Sequence, residues 1–319
     1  MTAPPSLATG RRPLRLFDTY PRSAAVAAAV GISFAAIFFV LSDASPSTAT
    51  VFRCLYALPL LFWLMSREDI AYGPRRWHTR RWAYLAGVFF AGDLLLFHHA
   101  ILLMGAGLAT VLVNVQVVIV LVAAWLIWAE RPSRSQVVGV PVALLGVLLI
   151  SGVLDAAAYG EDPLLGSLLA ILTAFAYAGY LLLLRKGRDR ERAAGPIFDS
   201  TLSCLLVALL AGLLVGDLDL LPRLPGHLWL LLLALSAQVG GGVMLAVALP
   251  RLPAATTSLI LLIQPVLATA FALLLLDETP SLTQLGGVAL VIGGVLLGSA
   301  RGWRGGGSPA AGVVGAAGT

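Results

Sequence analysis

The chain has 319 residues, of which 59% are hydrophobic and 12% charged, with a mean hydropathy of +0.92. Soluble domains carry about 25% charged residues, so a soluble globule, a disordered chain, a coiled coil and a disulfide-stapled secreted domain are excluded, and an all-α membrane protein is indicated. The net charge of +5 would suit nucleic-acid binding only if the basic residues clustered on a soluble surface.

Ten stretches approach the roughly 20 mostly apolar residues that cross a bilayer. Runs such as VVIVLVAAWLIW do not alternate as barrel strands would. The basic tail 1–22 is expected to be flexible. Its Arg11-Arg12 pair weakly matches a twin-arginine signal, but nine later spans favour a retained first helix. Span 1 is Ser23–Leu41 and contains Ser33 and Phe34. Span 2 is Ser47–Met65 and contains Arg53, about 9 Å from its outer end at 1.5 Å per residue. Buried cations in membranes face a cavity or a partner. Arg53 therefore either binds a substrate carboxylate or pairs structurally with backbone carbonyls or Asp43.

Span 3, Trp82–Met104, contains Asp93 about 16 Å deep, and His98 and His99 nearer its outer end. Desolvation favours the neutral form of a lone carboxylate at that depth. Asp93 is accordingly the candidate proton-coupling group, the alternative being a neutral helix contact. His98 and His99 point about 100° apart and lie about 140° and 120° from Asp93, too far apart for a metal pair. Either one would suit a cavity wall or a proton relay.

Span 4, Gly107–Trp128, carries Asn114 and Gln116, and span 5, Gln136–Leu154, carries Gly139 and Gly146 on one face. Span 6, Pro163–Leu184, contributes Tyr177 and Tyr180, with ordinary packing as the alternative role. Span 7 is Ile197–Val215. Span 8, Leu228–Leu249, holds Gln238 before Gly240 and Gly241. Span 9, Ala254–Leu276, pairs Gln264 with a kinking Pro265, and span 10, Leu282–Ser299, carries Gly287 and Gly294. The Gly/Ala-rich tail 300–319 reads as flexible. Cys54 and Cys204 are expected at different depths, which argues against a disulfide.

Nineteen of the 21 basic residues fall on one side of these spans, and the opposite loops are acidic, with Asp155, Glu161, Asp162, Asp217 and Asp219. The positive-inside pattern puts both termini in the cytoplasm. Trp63, Trp77, Trp82, Trp125 and Trp128 cluster near the same boundary.

A shift of 148 residues aligns Glu130–Ser151 with Glu278–Ser299 at eleven identities in 22 positions, including Glu130/Glu278, Pro132/Pro280 and Gln136/Gln284. The chain thus reads as two copies, 23–154 and 163–299. Five spans per copy invert the second relative to the first, the arrangement of secondary transporters with a midplane site. The paired glycines are expected to allow close helix approach.

The segments GISF at 31–34, the lone Arg53, GAGLAT, AERPS with its following Gln and glycines, Gln264-Pro265 and DETPS from Asp277 together resemble the EamA family of ten-helix drug/metabolite transporters. The resemblance covers most of the chain. It implies peripheral helices 5 and 10, a central cavity, and export of amino acids or similar metabolites in the cytoplasmic membrane. Where the family often has a proline in helix 4 this chain has Val117, so that helix is expected to run straighter. No cofactor, metal or nucleic acid is expected. The expected partners are a small-molecule substrate, protons and the lipid bilayer. A membrane-embedded enzyme on lipid-linked substrates and a non-transporting scaffold are the rival readings.

Overall fold

The computed structural model describes residues 20–104, 106–150, 161–187, 191–221, 223–276 and 281–299. Residues 1–19 and 300–319 of the tails, the whole 151–160 loop with Asp155, and Asp277, Glu278 and Pro280 of the repeated motif lie outside the described residues, whereas Pro21 and Arg22, expected in the flexible tail, begin the first helix.

Every described element is helical. We number them α1 (Pro21–Ser42), α2 (Pro46–Tyr72), α3 (Trp77–Met104), α4 (Ala106–Asn114, then Gln116–Trp128), α5 (Arg134–Ile150), α6 (Pro163–Lys186), α7 (Ala194–Val215), α8 (Gly226–Ala248), α9 (Ala254–Leu261, then Ile263–Leu276) and α10 (Leu282–Ser299). Eight of these are long and apolar enough to cross a membrane; α5 and the apolar part of α9 are shorter. The chain is therefore an all-α, multi-pass membrane protein.

Local sequence sets the ends. Ser45 caps α2 by accepting from the Thr48 backbone N–H, and Pro46 fills a position that needs no donor. Asp162 and Pro163 do the same for α6. Helices α2 and α3 run well past the expected apolar stretch at the basic end, to Tyr72 and from Trp77. The polar extensions carry the ion pairs described below.

Packing follows small residues. Helix α3 lies along α6 and α7, α2 along α7, and α1 along α8 and α9. The α5–α10 pair approaches closely along glycine faces on both helices. A Cβ on Gly139 would meet the Gly294 carbonyl at 2.6 Å, and one on Gly146 the Gly287 carbonyl at 2.6 Å. Small residues permit backbones to approach this closely.

Four helices depart from α geometry where they pass the centre. Helix α1 is interrupted at Phe34, α4 at Val115 and α9 at Leu262, each with a tight turn, and α8 widens into π-type turns over Ala234–Gly241. The break in α9 precedes Pro265, whose ring supplies no N–H to the Leu261 carbonyl. The expectation of a straighter α4 is corrected, because it breaks without a proline. The Asn114 side chain donates to the Thr110 carbonyl at 2.8 Å, competing with the backbone bond of the same turn.

The two thiols also sit differently from expectation. Cys54 and Cys204 are both free and fully buried, and they lie near enough for each to influence the other. Helices α2 and α7, which carry them, pack along each other.

Candidate functional site

A cavity of about 170 Å³ lies among α1, α2, α3, α4, α6, α8 and α9; α5, α7 and α10 contribute nothing to its wall. It runs from Ile101 and Thr110, near the α3–α4 turn, down to Tyr180 and Leu245. All four interrupted helices meet it at or beside their irregular turns, through Ser33, Asn114, Gln238 and Gln264. Irregular backbone at membrane depth is tolerated where it is covered by protein or lines a cavity.

Arg53 enters from α2 and is 4% exposed. Its Nε donates to Gln238 Oε1 at 3.0 Å, and Gln238 Nε2 donates to Thr201 Oγ1 at 2.7 Å. The guanidinium lies 5.4 Å from the Phe90 ring centroid. Only Nε makes a hydrogen bond among the described residues, so the terminal nitrogens stay available at the wall. The partner is Gln238, rather than Asp43 or backbone carbonyls.

Asp93, buried on α3, faces the same cavity. It feels the charge of Arg53, but the two form no direct ion pair. The cavity therefore presents one cation and one anion held apart. The wall between is aromatic and amide. Tyr180 stacks on Phe90 at 4.5 Å between centroids, and Tyr177 lies 6.0 Å from Tyr180. Gln116 lines the cavity with a buried Oε1 that has no hydrogen-bond partner, and His98, stacked on Phe39 at 3.9 Å, leaves its buried Nδ1 in the same state.

Of the residues singled out from sequence, Ser33, Arg53, Asp93, His98, Asn114, Gln116, Tyr177, Tyr180, Gln238, Gln264 and Pro265 all line this cavity. Phe34 and His99 do not. Phe34 stacks between Phe38 and Phe271, and His99 binds the Leu95 carbonyl at 2.7 Å. Gly241 packs against Ile32 of α1, whereas Gly240 is exposed. Sequence reasoning passed over Phe90 and gave Thr201 no role. The signal for Thr201 was its register: it is the 148-residue mate of Arg53, and Gln238 bridges the two.

A second polar layer closes the basic end. Arg185 of α6 makes a two-pronged pair with Glu130, which also accepts from the Ala254 backbone N–H at 3.4 Å at the start of α9. Asp199, fully buried on α7, takes Arg75 at 2.7 Å and Arg80 at 3.0 Å. Glu68 accepts from the backbone N–H groups of Ala193, Ala194 and Gly195 at 2.9 Å each. Negative charge at a helix N-terminus is favourable. No group of metal-binding side chains occurs among the described residues.

A family model for the EamA-like transporter family matches residues 23–152 and again 164–300. The chain belongs to that family, and it is a transporter of small organic solutes rather than an enzyme. It is 27% identical over 204 residues to the "Probable amino-acid metabolite efflux pump" of Salmonella typhimurium (strain LT2), covering 61% of this chain and 67% of that protein. A solved crystal structure superposes with a TM-score of 0.72 at 18% identity, covering 90% of this chain and 98% of that one. That likeness is one of fold.

Proposed function

We propose that the chain exports zwitterionic metabolites of the amino-acid class across the cell membrane by secondary, alternating-access transport. The carrying observation is that Arg53 and Asp93 face one cavity with opposite charge and no direct bond. A substrate with a carboxylate and an ammonium satisfies both. Arg53 takes the carboxylate through its uncommitted nitrogens, Asp93 takes the ammonium, and Phe90, Tyr177 and Tyr180 pack its apolar part. Because Asp93 is the sole cavity carboxylate among the described residues, it is also the group that exchanges a proton for the substrate ammonium. The relative's name supports the substrate class.

The reading includes ten crossings arranged as two inverted five-helix repeats, with both termini in the cytoplasm. The double family match supports it. So does packing, since exchanging α1–α5 with α6–α10 maps the principal helix contacts onto one another: α3–α6 onto α8–α1, α3–α7 onto α8–α2, and α4–α6 onto α9–α1. The α2–α7, α4–α9 and α5–α10 contacts map onto themselves. Such symmetry gives two related states, one open to each side.

Proteoliposome flux across a panel of amino acids, with and without a pH gradient, tests the proposal. Apolar and aromatic amino acids are expected to be transported, and amines or carboxylates lacking the other charge are not. Asp93→Asn is expected to abolish dependence on the gradient. Unchanged coupling would remove Asp93 from the mechanism, and absence of flux for every amino acid would overturn the substrate class.

A further inference from the structure

The basic end contains a second pocket, distinct from the central cavity, of about 300 Å³, formed by Tyr72, Pro74, Arg75, Arg76, Thr79 and Arg192. Its charge is not balanced. The Arg75 side chain is 3% exposed, and its Nη2 donates to Asp199 at 2.7 Å, yet its Nε and Nη1 are buried without an acceptor. A buried donor left unmet loses its hydration with nothing in return. Asp199 cannot supply the missing acceptor, because it also serves Arg80 through Nε and Nη2. Asp69 is taken by Arg192, and Glu68 by the start of α7. Arg76, on the exposed rim, makes no ion pair among the described residues.

We propose that this pocket binds a phosphate group. A tetrahedral oxyanion offers several acceptors at once, which matches the Arg76 guanidinium at the rim and the unmet donors of Arg75, with the Thr79 hydroxyl, 3.3 Å from His78 Nδ1, beside them. Its charge offsets the excess of arginine over carboxylate. The pocket also lies at headgroup level. Trp77, next to Arg76 in the chain, is 68% exposed, and Trp63, farther along α2, is 53% exposed with Arg67 over its ring at 5.1 Å. Exposed indoles mark the membrane interface, where basic pockets between helices hold anionic lipid headgroups. A phosphodiester of an anionic lipid and a free phosphate share this chemistry. Bound there, either one ties the α2–α3 turn to α7 through Arg75 and Asp199.

The test uses the full chain, delipidated in a neutral detergent, with three probes: dioctanoyl phosphatidylglycerol, dioctanoyl phosphatidylcholine and inorganic phosphate. Thermal stability and native mass spectrometry read binding. Saturable stabilisation by phosphatidylglycerol alone assigns the pocket to a lipid headgroup; saturable stabilisation by inorganic phosphate assigns it to a free phosphate. Arg76→Gln, at an exposed and unpaired position, is expected to fold normally and weaken binding about tenfold, while Arg67→Gln, outside the pocket, leaves it unchanged. Equal weakening by both variants would reduce the effect to diffuse surface charge and overturn the proposal. So would stabilisation by phosphatidylcholine to the same extent as phosphatidylglycerol, or the absence of saturable binding by any probe.

Discussion

Arg53 is held on one edge and left open on the other. Gln238 fixes Nε, Thr201 fixes Gln238, and Phe90 supports the guanidinium face, so the remaining nitrogens present a preset fork to the cavity. An unanchored arginine would give up side-chain freedom on binding each substrate. The bridge is a bond to a charged group, worth about 1.5–3 kcal/mol. Gln238→Leu keeps the volume and removes the bridge. It is expected to raise KM for transport about tenfold or more while the maximal rate falls less, because the cation stays but is no longer oriented. Arg53→Gln removes the charge as well and is expected to abolish saturable transport. Initial-rate measurements over a range of substrate concentrations separate the two effects, and an unchanged KM in Gln238→Leu would deny the bridge a positioning role.

At the scale of elements, what could be read in advance depends on whether a signal is local. Apolar length and basic loops located the helices, and midspan polar residues such as Asp93 and Gln238 stood out because each is expensive in lipid. Glu68 and Asp199 escaped notice, since a carboxylate beside a basic loop looks solvated until α7 is packed against α2 and α3. The break at Val115 was hidden for a related reason: it depends on an asparagine bond to its own helix rather than on a proline. Phe34 and His99 show the converse limit. A residue can occupy the right depth and still face a neighbouring ring or its own helix carbonyl. The glycine faces of α5 and α10 were legible because spacing alone defines them, and they permit a sharp contrast. Gly146→Val places a branched side chain against the Gly287 carbonyl and is expected to destabilise by about 1–3 kcal/mol, the usual result of overpacking. Gly293 has nothing within 4 Å of a built Cβ, so Gly293→Ala is expected to be neutral or slightly stabilising. Thermal unfolding in detergent compares them, and equal effects would mean that the α5–α10 contact contributes little.

Across the whole molecule, the central cavity reaches toward the acidic end, while the basic end is closed by ion pairs that cross from one half of the chain to the other. Glu130 belongs to the first half. Its partners, Arg185 and the Ala254 N–H, belong to the second and start or end helices that wall the cavity. Arg185 also lies 4.7 Å from the Trp128 ring, so the same group is held from two directions. For the basic end to open, α4 must separate from α6 and α9, and this two-pronged contact must break. Charge-assisted bonds of this kind are roughly twice as strong as neutral ones. Glu130→Gln keeps the shape and one acceptor but removes the charge. A loss of about 1.5 kcal/mol from the closed state alone shifts a two-state population roughly tenfold. Spin labels at Arg131, after α4, and Leu252, before α9, report the separation directly. In the native chain the short distance is expected to dominate; in Glu130→Gln a longer one is expected to grow at its expense, with faster substrate binding from the basic side. If the distance distribution does not change, the contact is structural and the barrier to opening lies elsewhere, with the Asp199 cluster between α3 and α7 the next place to measure.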